Sequence, residues 1–254
     1  MRLDPHLLNA IRFLTVLPVP ASVDATEPDW LARAMKYFPI VGIGIGAASA
    51  IVLLVASEFW SPLIAALLAI TTSIVITSAL HEDGLADTAD SFGGGWTVEK
   101  RLAIMKDSRI GTYGALALGL GVALRIAALA ILPVWAGAAA LIAVHAAARV
   151  MPAFVMNRLP YSGDTSAMKV SYADAPVRSE ELIFALTIVA LASVPLALVS
   201  VVSLFAGLLL GAALAALLAL WSRRMIGGYT GDVLGAVEQL FEIGFLLGIA
   251  ALIK

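Results

Sequence analysis

The chain contains no cysteine, which removes disulfides, thiolate metal centres and cysteine nucleophiles from consideration. Charge is scarce as well: 16 Lys and Arg and 18 Asp and Glu amount to 13% of 254 residues, where a soluble domain carries about 25%. The net charge of −2 gives no basis for nucleic-acid binding. No fixed-period repeat and no low-complexity linker is seen, so one integral domain over 1–254 is the economical organisation. What the chain has in excess is apolar surface, with 61% hydrophobic residues and a mean hydropathy of +0.98. It is concentrated in long uncharged runs, and runs of about 18 or more such residues read as transmembrane helices. A soluble core is too small to hide so many.

The expected fold is therefore an all-α, polytopic membrane bundle of about seven helices, near 39–57, 62–80, 115–132, 134–156, 182–202, 204–221 and 233–253. The apolar block from 182 to 220 would be roughly 60 Å long as one helix, about twice the hydrocarbon thickness. It must fold back, near 199–203. The seventh span holds Glu238 and Glu242 on one face, which therefore belongs in a polar interior or near the interface. Leu7 to Leu17, interrupted by Asn9 and Arg12, fits an interfacial amphipathic helix better than a cleaved leader. Arg2, Arg12, Arg33 and Lys36 precede the first span. Lys100, Arg101, Lys106 and Arg109 lie between the second and third, Arg158, Lys169 and Arg178 between the fourth and fifth, Arg223 and Arg224 between the sixth and seventh. The other three connections have no Lys or Arg, and Lys254 alone falls on the far side. The positive-inside rule then puts the N-terminal segment 1–38 and the polar loops in the cytoplasm.

Two of those loops carry candidate chemistry: 81–114, the main active-site loop, and 223–232, a second one. In the first, Asp83, Asp87 and Asp90 are spaced i, i+4, i+7, which places them on one helix face if the second span continues past Leu80. Three like charges there call for a cation, and carboxylates without cysteine select a hard, oxygen-preferring ion such as Mg²⁺ or Mn²⁺. Gly84 and Ala86 leave room for a bulky ligand at the backbone. Further on, Lys106, Asp107, Ser108, Arg109 and Gly111 supply the ingredients of an anion site near a helix start. The second loop repeats the theme with Gly227, Gly228, Thr230, Gly231 and Asp232. Within the spans, Arg125, His145 and Arg149 are the exceptional residues. They are candidate ligands for a polyanion, with snorkelling or interhelical hydrogen bonding as the ordinary alternative.

Five stretches carry a resemblance: 13–20 (FLTVLPVP), 38–42 (FPIVG), 81–90 (HEDGLADTAD), 106–114 (KDSRIGTYG) and 227–232 (GGYTGD) with Gly235-Ala236. In these the chain resembles the cobalamin-5′-phosphate synthase, or adenosylcobinamide-GDP ribazoletransferase, family. Ser91 and Gln239 depart from that pattern, where Gly and Glu are usual. The resemblance implies a transferase joining adenosylcobinamide-GDP to α-ribazole 5′-phosphate, or α-ribazole, with release of GMP and with Mg²⁺ as cofactor, in the bacterial inner membrane. On that reading Asp83 and Asp87 hold the metal and Asp90 is a further ligand or the base. Asp107 and Asp232 are candidates for a second ion, and Arg109, Arg125 and Arg149 hold phosphate. The motif positions His81, Gly84, Lys106, Thr230 and Gly231 complete the substrate-facing set. Partners are then the two small-molecule substrates and the lipid bilayer, with a homo-oligomer or other cobamide-assembly enzymes admitted. A CDP-alcohol phosphotransferase is the nearest rival. Its signature needs an Arg after the Ala and two Asp spaced four apart, whereas Asp87 follows Ala86 and Asp90 comes three later. A transporter is the rival of another class, but the polar clusters lie in loops on one side and not along a path.

Overall fold

The structure is a computed structural model that describes residues 4–19, 29–163 and 176–253. Arg2, Pro20, Lys169 and Lys254, used above, lie outside the described residues. The described chain is helical throughout except for short connections and one isolated bridge, Tyr161 to Tyr229. The elements are α1 (Pro5–Leu14), α2 (Trp30–Ala34) with a 3₁₀ turn (Met35–Tyr37), α3 (Phe38–Ser57), α4 (Pro62–Thr77), α5 (Leu80–Gly94) and α6 (Val98–Met105). There follow α7 (Thr112–Ala130), α8 (Val134–Ala148), α9 (Met151–Met156), α10 (Ser179–Val199), α11 (Val201–Ile226) and α12 (Gly231–Ala250). Six stretches are long and apolar enough to cross a membrane, and α4 with α5 makes a seventh only as a bent pair. The seven expected spans are thus all present as helices. The expected fold-back falls at Ser200, whose backbone is extended (φ −161°, ψ 108°) and whose hydroxyl accepts the amide of Ser203 at 3.1 Å to start α11.

The second span differs from expectation. It does not continue past Leu80: Ser78 (φ 53°) and Ala79 (φ 56°) are both left-handed, a conformation costing roughly 1–2 kcal/mol for each residue bearing a Cβ. The Ala79 amide closes the end of α4 on the Ile74 carbonyl at 2.9 Å, and α5 then departs at 89°. The aspartates therefore lie on a separate helix, set nearly at a right angle to α4, and α4 and α5 form a bent pair and not one straight span. The stretch 81–114, expected as a loop, is two helices and short connections.

Three glycine pairs set the packing, as small residues do where backbones approach in lipid. Gly207 and Gly211 of α11 face Gly244 and Gly248 of α12, where an added Cβ would come within 2.6–2.9 Å of opposing backbone. Gly42 and Gly46 bring α3 as close to the His145 and Leu141 carbonyls of α8. Buried on nearly all sides, α12 is the axis of the bundle, while α7 and α10 are mostly exposed on their apolar outer faces. Trp60, between α3 and α4, and Trp135, in the first turn of α8, are exposed at one end, as in an interfacial aromatic belt. The opposite, polar end is tied together. Arg33 pairs with Glu181 at 2.6 Å and Asp29 at 3.0 Å, Val16 donates to the Ile76 carbonyl at 2.9 Å, and Ser162 to that of Tyr229 at 2.8 Å.

Candidate active site

The three aspartates of α5 share a face but not an environment. Asp83 is exposed, Asp87 half-buried and Asp90 buried. Asp90 is anchored at the start of α7, accepting the Gly111 amide at 2.6 Å and the Gly114 amide at 2.8 Å, one on each oxygen. A side chain on Gly111 or Gly114 would strike that carboxylate. A helix N-terminus favours such a negative group. Asp87 has its carboxyl pushed up to about 7, first by burial and then by Asp83, Asp232 and Asp90. Asp232 joins the group because Thr230 starts α12 by accepting the Val233 amide at 3.3 Å, and because α5 and α12 touch at Gly84. An added Cβ there would lie 2.6 Å from the Asp232 carbonyl. The structure thus brings together two acidic stretches about 140 positions apart. The space at Gly84, expected to admit a ligand, is filled by the backbone of α12.

Asp83 lies on a shared wall between two cavities. One is bounded by α1, α2, α3 and α12 and carries His81, Asp232, Gly231 and Glu238 beside apolar side chains. The other lies between α4, α5 and α7, with Glu82, Asp87 and Ser108 on its lining. No three His, Asp or Glu side chains among the described residues are placed to hold a metal ion by themselves. Asp83 and Asp87 fit one in a narrower sense. Mg²⁺ is commonly held by one or two carboxylates, with water and substrate phosphate supplying the rest, and the crowding that raises Asp87 is what a cation relieves.

Arg125 and Arg149, expected to face phosphate, face the protein's own carboxylates instead. Arg125 donates to Glu82 and Glu242, both at 2.9 Å. Glu242 Oε1 lies 3.0 Å from His145 Nδ1 and 3.4 Å from Arg149 Nη1, which also donates to the His145 carbonyl at 2.9 Å. All five side chains are buried. Removing one partner of such a network leaves an uncompensated charge, at a cost of about 3–5 kcal/mol. The expectation that Glu238 and Glu242 face a polar interior is met; Glu82 was not recognised as a partner.

The loop after α6 is less integrated. Arg109 is exposed and binds Asp107 at 2.6 Å, and those hydrogen bonds hold the Asp107 carboxyl down to about 2. Asp107, expected to serve a second ion, is engaged there and does not line either cavity beside Asp83. Lys106 caps α6 and is exposed.

Fold and site together define the class: a polytopic, all-helical membrane enzyme with an acidic centre at the polar end of its bundle. Residues 6–250 match the profile of the cobalamin-5-phosphate synthase family, and the chain belongs to that family. Curated relatives include the adenosylcobinamide-GDP ribazoletransferases of Azorhizobium caulinodans (45% identical, covering 94% of this chain and 93% of the relative) and Bradyrhizobium diazoefficiens (45%, 95% and 92%). That of Leptothrix cholodnii is 40% identical over 94% of this chain and 92% of its own. No solved structure matches.

Proposed function

We propose that the chain transfers the adenosylcobinamide phosphate of adenosylcobinamide-GDP to α-ribazole 5′-phosphate, or α-ribazole. A ribose hydroxyl oxygen bonds to the cobinamide-side phosphorus, the bond from that phosphorus to the bridging oxygen breaks, and GMP leaves. The hydroxyl proton passes to a carboxylate. The product is adenosylcobalamin 5′-phosphate, or adenosylcobalamin. Most of the support comes from the family and its relatives; among structural observations the acidic wall between two cavities carries the reading, since a two-substrate transfer needs two sites meeting at the reacting atoms.

A Mg²⁺ ion at Asp83 and Asp87 would supply neutralisation of the diphosphate charge. Asp90, with each oxygen already accepting an amide, orients the start of α7 against α5. Asp232 lines the cavity opposite Asp87 and is the better placed acceptor of the hydroxyl proton. Arg125, Arg149, His145, Glu82 and Glu242 fix the angle between α5, α7, α8 and α12 and so hold the carboxylates in register. The distribution of Lys and Arg supports a site facing the cytoplasm from the bacterial inner membrane.

The test is GMP release and corrinoid product in membranes supplied with both substrates and Mg²⁺, beside an Asp83→Asn control. Folded wild-type protein that makes neither product under these conditions would overturn the assignment.

A further inference from the structure

A third cavity shares no lining residue with the two at Asp83. It is a groove of about 460 Å³ between α9, α11 and α12, within the roughly 300–1,000 Å³ of small-molecule sites. Ala212, Ala216 and Ala219 make one wall, and their small side chains leave the space open. Met151 and Phe154 of α9 make the other, and the buried Val237 of α12 closes it behind. Two arginines line one end, Arg158 just after α9 and Arg223 in the last turn of α11, and both are exposed.

Position and charge select the occupant. Arg158 and Arg223 belong to polar connections that the positive-inside rule assigns to the cytoplasm. Eleven residues of α11 separate Arg223 from Ala212, about 16 Å of helix, against about 15 Å for half of the hydrocarbon core. The groove is thus long enough to run from headgroup level to mid-membrane, the depth of one lipid leaflet. Trp221, half-exposed beside Arg223, is of the type found at headgroup level. Leu217 and Leu220, more than half exposed on the same stretch of α11, place the mouth of the groove in lipid. A soluble anion would meet the arginines and leave the apolar length unfilled. A phosphate ester carrying acyl chains fits both parts, since the planar guanidinium suits phosphate oxygens. A zwitterionic lipid would bring a positive group back beside the two arginines, whereas an anionic one gains from each basic residue at this level.

We propose that this groove binds one anionic phospholipid of the cytoplasmic leaflet, its phosphate held by Arg158 and Arg223 and an acyl chain laid along the alanine wall. The bound lipid braces α9 and α11 against α12, the helix that carries Asp232 and Glu242. Such a site stands whether or not the transfer reaction proposed above does.

Purified protein in detergent is offered phosphatidylglycerol and phosphatidylcholine of matched chains, and bound lipid is counted by native mass spectrometry. Wild type is expected to retain phosphatidylglycerol over phosphatidylcholine by about tenfold or more, and to melt at a higher temperature with it. The double variant Arg158→Gln, Arg223→Gln should lose the preference. Ala216→Phe, which fills the groove and keeps both charges, should lose the bound lipid. A measurement on wild type alone needs no variant to fold: phosphatidylglycerol with a diazirine on its acyl chain should crosslink to α9 and to residues 212–223. It should not crosslink along the mostly exposed face of α10. Unlabelled phosphatidylglycerol should displace it, and inorganic phosphate, adenosylcobinamide-GDP and α-ribazole 5′-phosphate should not. Equal retention of both lipids, or crosslinks spread evenly over α10 and α11, would mean a general lipid shell only and overturn the inference. Displacement by any of the soluble phosphate compounds would make the groove a site for a soluble ligand and overturn it as well.

Discussion

Asp87 shows how position changes an ordinary side chain. Its carboxyl has an ordinary value of 3.8 and is raised to about 7 by burial and by Asp83, Asp232 and Asp90. The folded protein therefore binds this proton more tightly than the unfolded chain, so stability is lost as pH rises from about 4 to about 7. In detergent without divalent ions, melting temperature should fall across that window more steeply in wild type than in Asp87→Asn, and Mg²⁺ should narrow the difference. A melting profile of Asp87→Asn parallel to wild type would contradict the clustering. Asp83→Asn, at an exposed position, should fold normally yet lose about 100-fold or more in GMP release, which a Mg²⁺ titration would not restore. Arg125→Met differs in kind. It strands Glu82 and Glu242 in the interior, so it should lower the yield of folded protein in size-exclusion chromatography, with partial recovery in the double variant carrying Glu242→Gln. These residue types were legible in the sequence; their partners were not, because burial and pairing depend on which helices adjoin.

Helices were the most legible part of the chain. Uncharged runs beginning at Pro39, Pro62 and Val233 gave spans close to the observed ones, since in lipid a chain must satisfy its backbone internally. The turn at Ser78 and Ala79 was not legible: neither is a glycine, and nothing in the apolar pattern marks two consecutive left-handed residues. That turn decides that the aspartates project from a separate helix, bent by 89° from α4, instead of from a continuation of α4. Contact between α5 and α12 is the second element-scale feature. Gly84→Ala would push a methyl group toward the Asp232 carbonyl, now 2.6 Å from that position. Separating Asp83 from Asp232 should cut kcat by at least about tenfold while the melting temperature moves little, whereas Gly44→Ala, which meets nothing within 4 Å, should be silent in both assays.

For the whole molecule, a cysteine-free chain makes orientation directly measurable. Ser61, between α3 and α4, and Ser108, between α6 and α7, are both exposed and at opposite ends of the bundle. Single Ser61→Cys and Ser108→Cys variants should react with a membrane-impermeant maleimide in opposite ways. Ser61→Cys should label in intact cells whose outer membrane admits the reagent, and Ser108→Cys only after the inner membrane is opened. The reverse pattern would invert the topology and place the acidic site outside the cytoplasm.

By itself the sequence determined that this is a helical membrane protein of about seven spans, and it marked three aspartates that share a helix face. It could do so because those features are local: hydropathy over about 20 residues sets a span, and a spacing of three or four sets a helix face. Only the tertiary structure decided that Asp232 joins Asp83 and Asp87, that Arg125 and Arg149 are turned inward to Glu82 and Glu242, and that Asp83 divides two cavities. Each of these arises where helices far apart in the chain come into contact, through glycines that let backbones touch and buried charges that need partners, and no local pattern encodes which helices those are.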